Sequence, residues 1–307
     1  VEVSDPYVQE LDPDLLTYVK AREDQADAHA RERREAGMWE RQAGTAYIDS
    51  EGNTRDKRRE WGDPVAHKEF FDELSSDALE QWLSHIPSAN ALTILSDPQS
   101  LETVTGRNGK VTVEADEMSK LWLTGCTDAL AIRNRGTVMA ELVNAYVEEA
   151  AQKGEIDKSD ALKWMSVACG TALPAMKAAL KAGIKPEMLL VDSDESALKS
   201  TQKLSDEIGY EGTLEQHMTN IFSPEDMAEL RTYLGDNGGR PRIIDLMGIF
   251  EYTGEHTGID PATFLRSNYD MLHPGGRLVL GQMRDDRPNP DFTMGVVGWP
   301  YIVMRSP

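Results

Sequence analysis

Cysteine is nearly missing from this chain. Cys126 and Cys169 stand far apart and form no CxxC pair, which excludes a disulfide framework and a thiolate zinc site. Both are read as reduced thiols, and no metal is expected. Long apolar runs are missing too: no window approaches the roughly 18 consecutive apolar residues of a membrane span. The opening "VEVSDPYVQELDPD" is acidic where a signal peptide would be basic and then apolar, so a cytoplasmic location is expected. Positive charge is the third shortage. Asp and Glu number 53 against 32 Lys and Arg, a formal charge of -21. A nucleic-acid partner, gripped by its phosphates, needs a concentrated basic surface. The one basic cluster, "RDKRRE" at 55–60, is broken by Asp56 and closed by Glu60, and reads as a solvated loop rather than a phosphate grip.

What remains is a chain of 307 residues, 40% hydrophobic and 28% charged, enough for one large domain or two ordinary ones. Residues 1–130 read as a mainly helical cap. An Asp12 cap and Pro13 open a long, mostly exposed helix running to about Gln42. Phe70, Phe71, Leu74, Leu79, Trp82 and Leu83 form the apolar set of further helices that Pro87 ends. Around 101–115, β-branched alternation on both sides of "GRNG" predicts a hairpin turning at Asn108 and Gly109. A helix follows in which Val138, Met139, Leu142, Val143, Tyr146, Val147 and Ala150 make one apolar stripe, ended by Gly154.

Beyond Asp157 strands and helices alternate strictly. Strands are predicted at 164–168, at "MLLVD", at "TLEQHM", at "RIIDLM" and, after "HPGG", at "RLVLGQM". This grammar implies an α/β, Rossmann-like, doubly wound and mainly parallel sheet over 131–307. Ligands of such sheets bind outside the carboxyl ends of the strands, so the residues just after each strand carry the argument. They are Ala168, Cys169 and Gly170 after the first strand, Asp192 ending the second, and Asn220 with Ile221 after the third. Met247 and Gly248 to Tyr252 close the fourth.

Asp192 lies about twenty residues beyond Gly170, which suits a carboxylate that accepts bonds from two ribose hydroxyls. It could instead cap the helix that starts at "SDESAL", though Ser193 or Asp194 could do that. The first loop, "CGTALP", has a single glycine where a dinucleotide fold needs GxGxxG to close on a pyrophosphate. A cofactor without phosphates tolerates it better.

On "SVACGTALPAM", "LLVDSDESAL", "HMTNIFSP", "IIDLMGIFEYTG" and "MLHPGGRLVL", residues 130–305 resemble a class I S-adenosylmethionine-dependent methyltransferase. The entry to the fifth strand through a PGG turn is the most specific of these pieces. "ACG", "GIFEY" and a late "W…R" further resemble bacterial enzymes of this family that act on small molecules or lipid-like acids. Two positions depart from the family pattern: Ser166 stands where an acid is usual, and Ala172 where a glycine is usual. The family's sheet also normally ends in a further antiparallel hairpin, for which 307 residues leave little room, so the last strands are expected to be missing or unusual.

The resemblance implies S-adenosylmethionine as cofactor. It places Ala168, Cys169 and Gly170 beside the methionine moiety, Asp192 on the ribose, Asn220 and Ile221 flanking adenine, and Met247 and Gly248 along the same site. A cation for the cofactor's carboxylate is implied in "AIRNR", at Arg133 or Arg135, either of which could equally be a surface residue. Methyl transfer is an in-line displacement that needs alignment and, for a protonated acceptor, a base. Candidates are Asp245, Glu251, Tyr252 and His256; Asp245 sits in an apolar run and could equally be a polar residue bonded within the sheet, Glu251 and Tyr252 suit lining the pocket better than proton transfer, and His256 could simply face solvent. The Met-rich tail at 292–305 could wall an apolar acceptor or pack in a core. The expected activity is methyl transfer to a small-molecule acceptor held between cap and strand ends, with a homodimer allowed. Two rivals stay open: a nicotinamide-dependent oxidoreductase, and a catalytically silent cofactor-binding protein.

Overall fold

The computed structural model describes residues 11–41, 47–48, 54–55, 61–98, 101–107, 109–156, 162–236, 239–254, 258–299 and 302–306. Two compact units divide the chain: residues 1–134 with 283–307, and residues 135–282.

In the first unit, helix α1 (Pro13–Glu35) opens on Asp12, whose carboxylate accepts the Asp14 amide at 2.9 Å. It ends seven residues before the predicted Gln42. Gly37, at φ +69°, turns the chain out of the helix while its amide and that of Met38 bond back to the Arg34 and Arg33 carbonyls. That is a glycine stop which a run of good helix formers conceals. The helix is mostly exposed, as predicted, with Val19, Glu23, Asp27 and Ala30 buried along one side.

Short antiparallel pairs follow, β1 (Glu40–Arg41) with β4 (Trp61–Gly62) and β2 (Tyr47–Ile48) with β3 (Thr54–Arg55). Next come helices α2 (Pro64–Leu74), α3 (Asp77–Leu83) and α4 (Ala89–Ser96). The predicted hairpin forms from β5 (Thr103–Thr105) and β6 (Thr112–Glu114), paired from Thr103 with Glu114 to Thr105 with Thr112. Gly109 turns at φ +68°, and Asn108 lies outside the described residues. Helix α5 (Glu117–Gly125) completes the series, and helix α6 (Thr127–Gln152) starts in this unit and continues into the next.

The tail, assigned by sequence to the cofactor domain, packs in this first unit. Phe292, Val296, Val297 and Trp299 are buried in one cluster with Phe70, Trp82 and Trp122, and Met294 packs against it. Phe292 meets Phe70 edge-on at 5.1 Å between ring centroids and Trp122 at 5.6 Å. Buried carboxylates fasten the same segment: Asp27 accepts the Phe292 amide at 2.9 Å, and Asp128 accepts Thr293 Oγ1 at 2.9 Å and Arg287 at 2.6 Å. Glu23 caps α6 by accepting the Thr127 amide at 3.0 Å and its hydroxyl at 2.6 Å. Burial pushes the Glu23 carboxyl up to about 7 against these bonds. Tyr301 lies outside the described residues.

The second unit is the predicted α/β layer. After α6 it runs β7 (Lys163–Val167), α7 (Leu173–Ala182), β8 (Glu187–Asp192), α8 (Glu195–Ile208), β9 (Thr213–Met218), α9 (Pro224–Asp236), β10 (Ile243–Met247), α10 (Pro261–Tyr269) and β11 (Arg277–Gly281). The five strands are all parallel in the order β11-β10-β7-β8-β9. Side chains alternate across the sheet. Trp164, Met188, Leu190, Ile243 and Val279 join Met139, Val143, Tyr146 and Val147 of α6, with α7 and α8, on one face. Met165, Val167, Leu189, Val191, Ile244 and Leu246 join Met227 and Leu230 of α9 and Phe264 of α10 on the other. Of the predicted α6 stripe, Val138 and Leu142 stay exposed. Strand order reverses between β7 and β10, so the crevice at their carboxyl ends is where such a fold takes a ligand.

Candidate functional site

The loop after β7 carries an unusual backbone. Ala168, Gly170 and Ala172 all have left-handed φ, at +49°, +54° and +54°, with residues of ordinary φ between them. Only glycine adopts that region without a Cβ clash, and an L-residue there costs about 1–2 kcal/mol. Ala172 therefore keeps the conformation that a glycine would supply, and its methyl is buried against the α6–α8 face. Alternation of φ in sign turns successive amides toward one side of a loop, the arrangement that receives anionic or carbonyl oxygens.

Asp192, at the end of β8, ties this loop to its neighbours. Its Oδ2 accepts the Gly170 amide at 2.7 Å and its Oδ1 the Asp194 amide at 2.9 Å. The helix cap falls to Asp194, which accepts the Ser196 and Ala197 amides. The Asp192 carbonyl accepts the Thr219 amide at 2.9 Å, and the Val191 carbonyl accepts the Cys169 amide at 3.2 Å. The ends of β7, β8 and β9 are thus tied together through the carboxylate and the backbone carbonyl of Asp192. Cys169 is half-buried, and burial beside Asp192 and Asp245 pushes its thiol well above its ordinary value. It is held as a neutral thiol, unsuited to nucleophilic work.

After β9, Asn220 is exposed and Ile221 buried. The Asn220 side chain accepts the Phe222 amide at 3.1 Å, and its own amide donates to Asp226 at 2.9 Å. Ser223 and Asp226 then bond reciprocally at the start of α9.

At the end of β10, Met247 is half-buried and Gly248 turns at φ +103°. Arg135, at the start of the α6 segment in this unit, lies across this end. Its guanidinium is 3.4 Å from the Glu251 carboxylate, with side chains 22% and 4% exposed. A Cβ at Gly248 would fall 3.3 Å from its Nη2, and one at Gly281, the last residue of β11, 2.6 Å from its Cδ. Arg133 goes elsewhere. In the first unit it donates to the Leu95 carbonyl at 2.9 Å and to the Thr124 carbonyl, satisfying the carboxyl ends of α4 and α5. Of the two arginines in "AIRNR", the structure brings Arg135 and not Arg133 to the strand ends.

Asp245 is buried inside the sheet rather than at its rim. Its carboxylate accepts Trp164 Nε1 at 2.7 Å and Ser166 Oγ at 3.1 Å, and burial pushes its carboxyl up to about 6. Ser166, where the family pattern has an acid, is thus bonded to an acid at the paired position of the next strand. Tyr252 is half-buried in the short 3-10 turn Phe250–Tyr252 that follows Gly248. His256 lies outside the described residues. Gly281 carries little signal in the sequence beyond being a glycine that closes a mainly apolar strand, "RLVLG".

No family model matches the chain, and no curated protein sequence does. Solved structures do. One, a "possible exported protein" from Bordetella parapertussis, aligns over 98% of this chain and 88% of its own at 15% identity and a TM-score of 0.52. The fold is shared. The S-adenosylmethionine-dependent methyltransferase SibL in its apo form aligns over 86% of this chain and 71% of its own, at 16% identity and a TM-score of 0.41. A methyltransferase from Geobacter sulfurreducens in complex with S-adenosylhomocysteine aligns over 55% and 58%, at 11% identity and a TM-score of 0.34. Among the described residues no helix is long and apolar enough to cross a membrane.

Proposed function

We propose that the second unit binds S-adenosylmethionine and directs its methyl group to a small-molecule acceptor. The observation that carries this reading is the convergence, at the carboxyl ends of β7, β8 and β10, of the Asp192 carboxylate, the left-handed 168–172 loop and the Arg135 guanidinium.

The groups fit that cofactor piece by piece. Each Asp192 oxygen accepts one backbone amide and keeps a lone pair, a match for the two hydroxyls of a ribose. Ile221 and Asn220 offer an apolar and a polar flank just after the neighbouring strand, as adenine requires. Arg135 is a fixed cation suited to an amino-acid carboxylate. A loop with one glycine and with Pro174 in the first turn of α7 suits a ligand without pyrophosphate better than a dinucleotide. When bound, the cofactor supplies an activated methyl group on a sulfonium; the residues of this chain hold and align it and keep water away. Asp245, enclosed in the sheet, takes part by fixing Trp164 and Ser166 beneath the loop rather than by meeting an acceptor.

Calorimetry tests the reading. S-adenosylmethionine should bind, and Asp192→Ala should weaken it by about 1–3 kcal/mol, through loss of charge-assisted bonds to two hydroxyls. Binding of NAD with no response to S-adenosylmethionine would replace this reading with an oxidoreductase. Tight S-adenosylmethionine binding without transfer of labelled methyl to any extract component would leave a silent cofactor-binding protein.

A further inference from the structure

Arg135 reaches the ends of β10 and β11 because two glycines leave room for it. Met247 and Gly281 are paired across these strands, and Gly248 follows Met247, so the two glycines lie side by side at one end of the sheet. The arginine stem passes over Gly281 and the guanidinium over Gly248. A Cβ at Gly281 would stand 2.6 Å from Cδ, in the middle of the stem, where a contact under 3.0 Å forces a shift. Gly248 has a second reason to be glycine in its φ of +103°, whereas Gly281 is not in the left-handed region and the three atoms nearest to its missing Cβ all belong to Arg135. Glu251, 3.4 Å from the guanidinium, orients the far end of the side chain.

We infer that Gly281 is a positioning residue: by lacking a side chain it seats Arg135 across the strand ends, so that the guanidinium receives the carboxylate of the cofactor's amino-acid end. The inference rests on the proposed cofactor. It concerns one part of that molecule only, which makes it separable. S-adenosylhomocysteine and 5′-methylthioadenosine share adenine, ribose and thioether, and only the first carries the amino-acid carboxylate.

The experiment measures both affinities for the wild-type chain, Gly281→Ala, Arg135→Gln and the double variant Arg135→Ala/Gly281→Ala. The wild type should prefer S-adenosylhomocysteine at least about tenfold, as expected of a charge-assisted bond. Gly281→Ala and Arg135→Gln should each lose most of that preference with methylthioadenosine affinity unchanged. The double variant should lose no more than Arg135→Gln does, because both changes act through one side chain. Should Gly281→Ala alone unfold the chain, the double variant restores folding if the clash with Arg135 is the cause; a double variant just as unstable overturns the assignment. A Gly281→Ala protein that keeps the wild-type preference overturns it too. A wild type that binds both ligands equally removes Arg135 and Gly281 from the carboxylate while leaving the cofactor reading intact, and a wild type that binds neither overturns both.

Discussion

Asp245 shows how much one buried carboxylate controls. Its carboxyl is lifted from an ordinary 3.8 to about 6, chiefly by burial, with the Trp164 and Ser166 bonds opposing. The folded chain therefore holds this proton more tightly than the unfolded chain. Its contribution to stability is fully present below about pH 4 and is lost as the pH rises through about 6, a change of about 3 kcal/mol. Asp245→Asn cannot ionise, so the stability of the wild type relative to this variant should fall by about that amount between pH 4 and pH 7. Glu23, lifted to about 7 by burial, slopes both curves alike, so urea unfolding at several pH values isolates Asp245 in their difference. Parallel curves would mean that the sheet holds the ionised form without penalty. At this scale the sequence was legible where side-chain type decides and silent where direction decides. Asp192 could be singled out because a carboxylate ending an apolar strand is rare. Arg133 and Arg135, two residues apart on one helix, point about 200° apart, and no motif says which faces the strand ends. Ala172 looked like a missing glycine, but conformation and residue type are separable, and the chain keeps the first without the second.

Among the elements, the strand and helix alternation of 163–281 was legible because each central strand is buried on both faces and so reads as a mainly apolar run, interrupted inside only by Ser166 in β7 and Asp245 in β10. The place of the tail was not. Phe292 and Trp299 look alike in sequence whether they line a pocket or fill a core, and their partners Phe70 and Trp122 lie some two hundred residues earlier. Its fastening by Asp27 and Asp128 depends on carboxylates that sequence would place at the surface. Phe292→Ala should consequently cost about 3–5 kcal/mol, the usual loss for a fully enclosed aromatic, read by urea unfolding. A loss below about 1 kcal/mol would mean that the tail is not part of the first unit's core. The overrun of α1 has a similar origin. Good helix formers continue past Glu35, while the stop is made by the backbone bonds around Gly37, which composition does not reveal.

For the whole molecule the governing quantity is a charge of -21. Such a field favours approach of a cation, and S-adenosylmethionine carries one more positive charge than S-adenosylhomocysteine. Stopped-flow association of the methyl donor should slow several-fold, by about 3–10 times, from low to physiological salt, and that of the demethylated product much less. Equal salt dependence would show that the field is not focused on the site. The ties around Asp192 reach further than ligand binding. The Cys169, Gly170 and Thr219 amides come from two different loops, yet all three donate to oxygens of Val191 or Asp192. In the language of hydrogen exchange they share a single gate: no local fraying of one loop can expose them all, but one excursion of the β8 end exposes the three together. Their exchange should therefore slow as a set when the site fills, making these amides a built-in reporter of occupancy that needs neither label nor turnover.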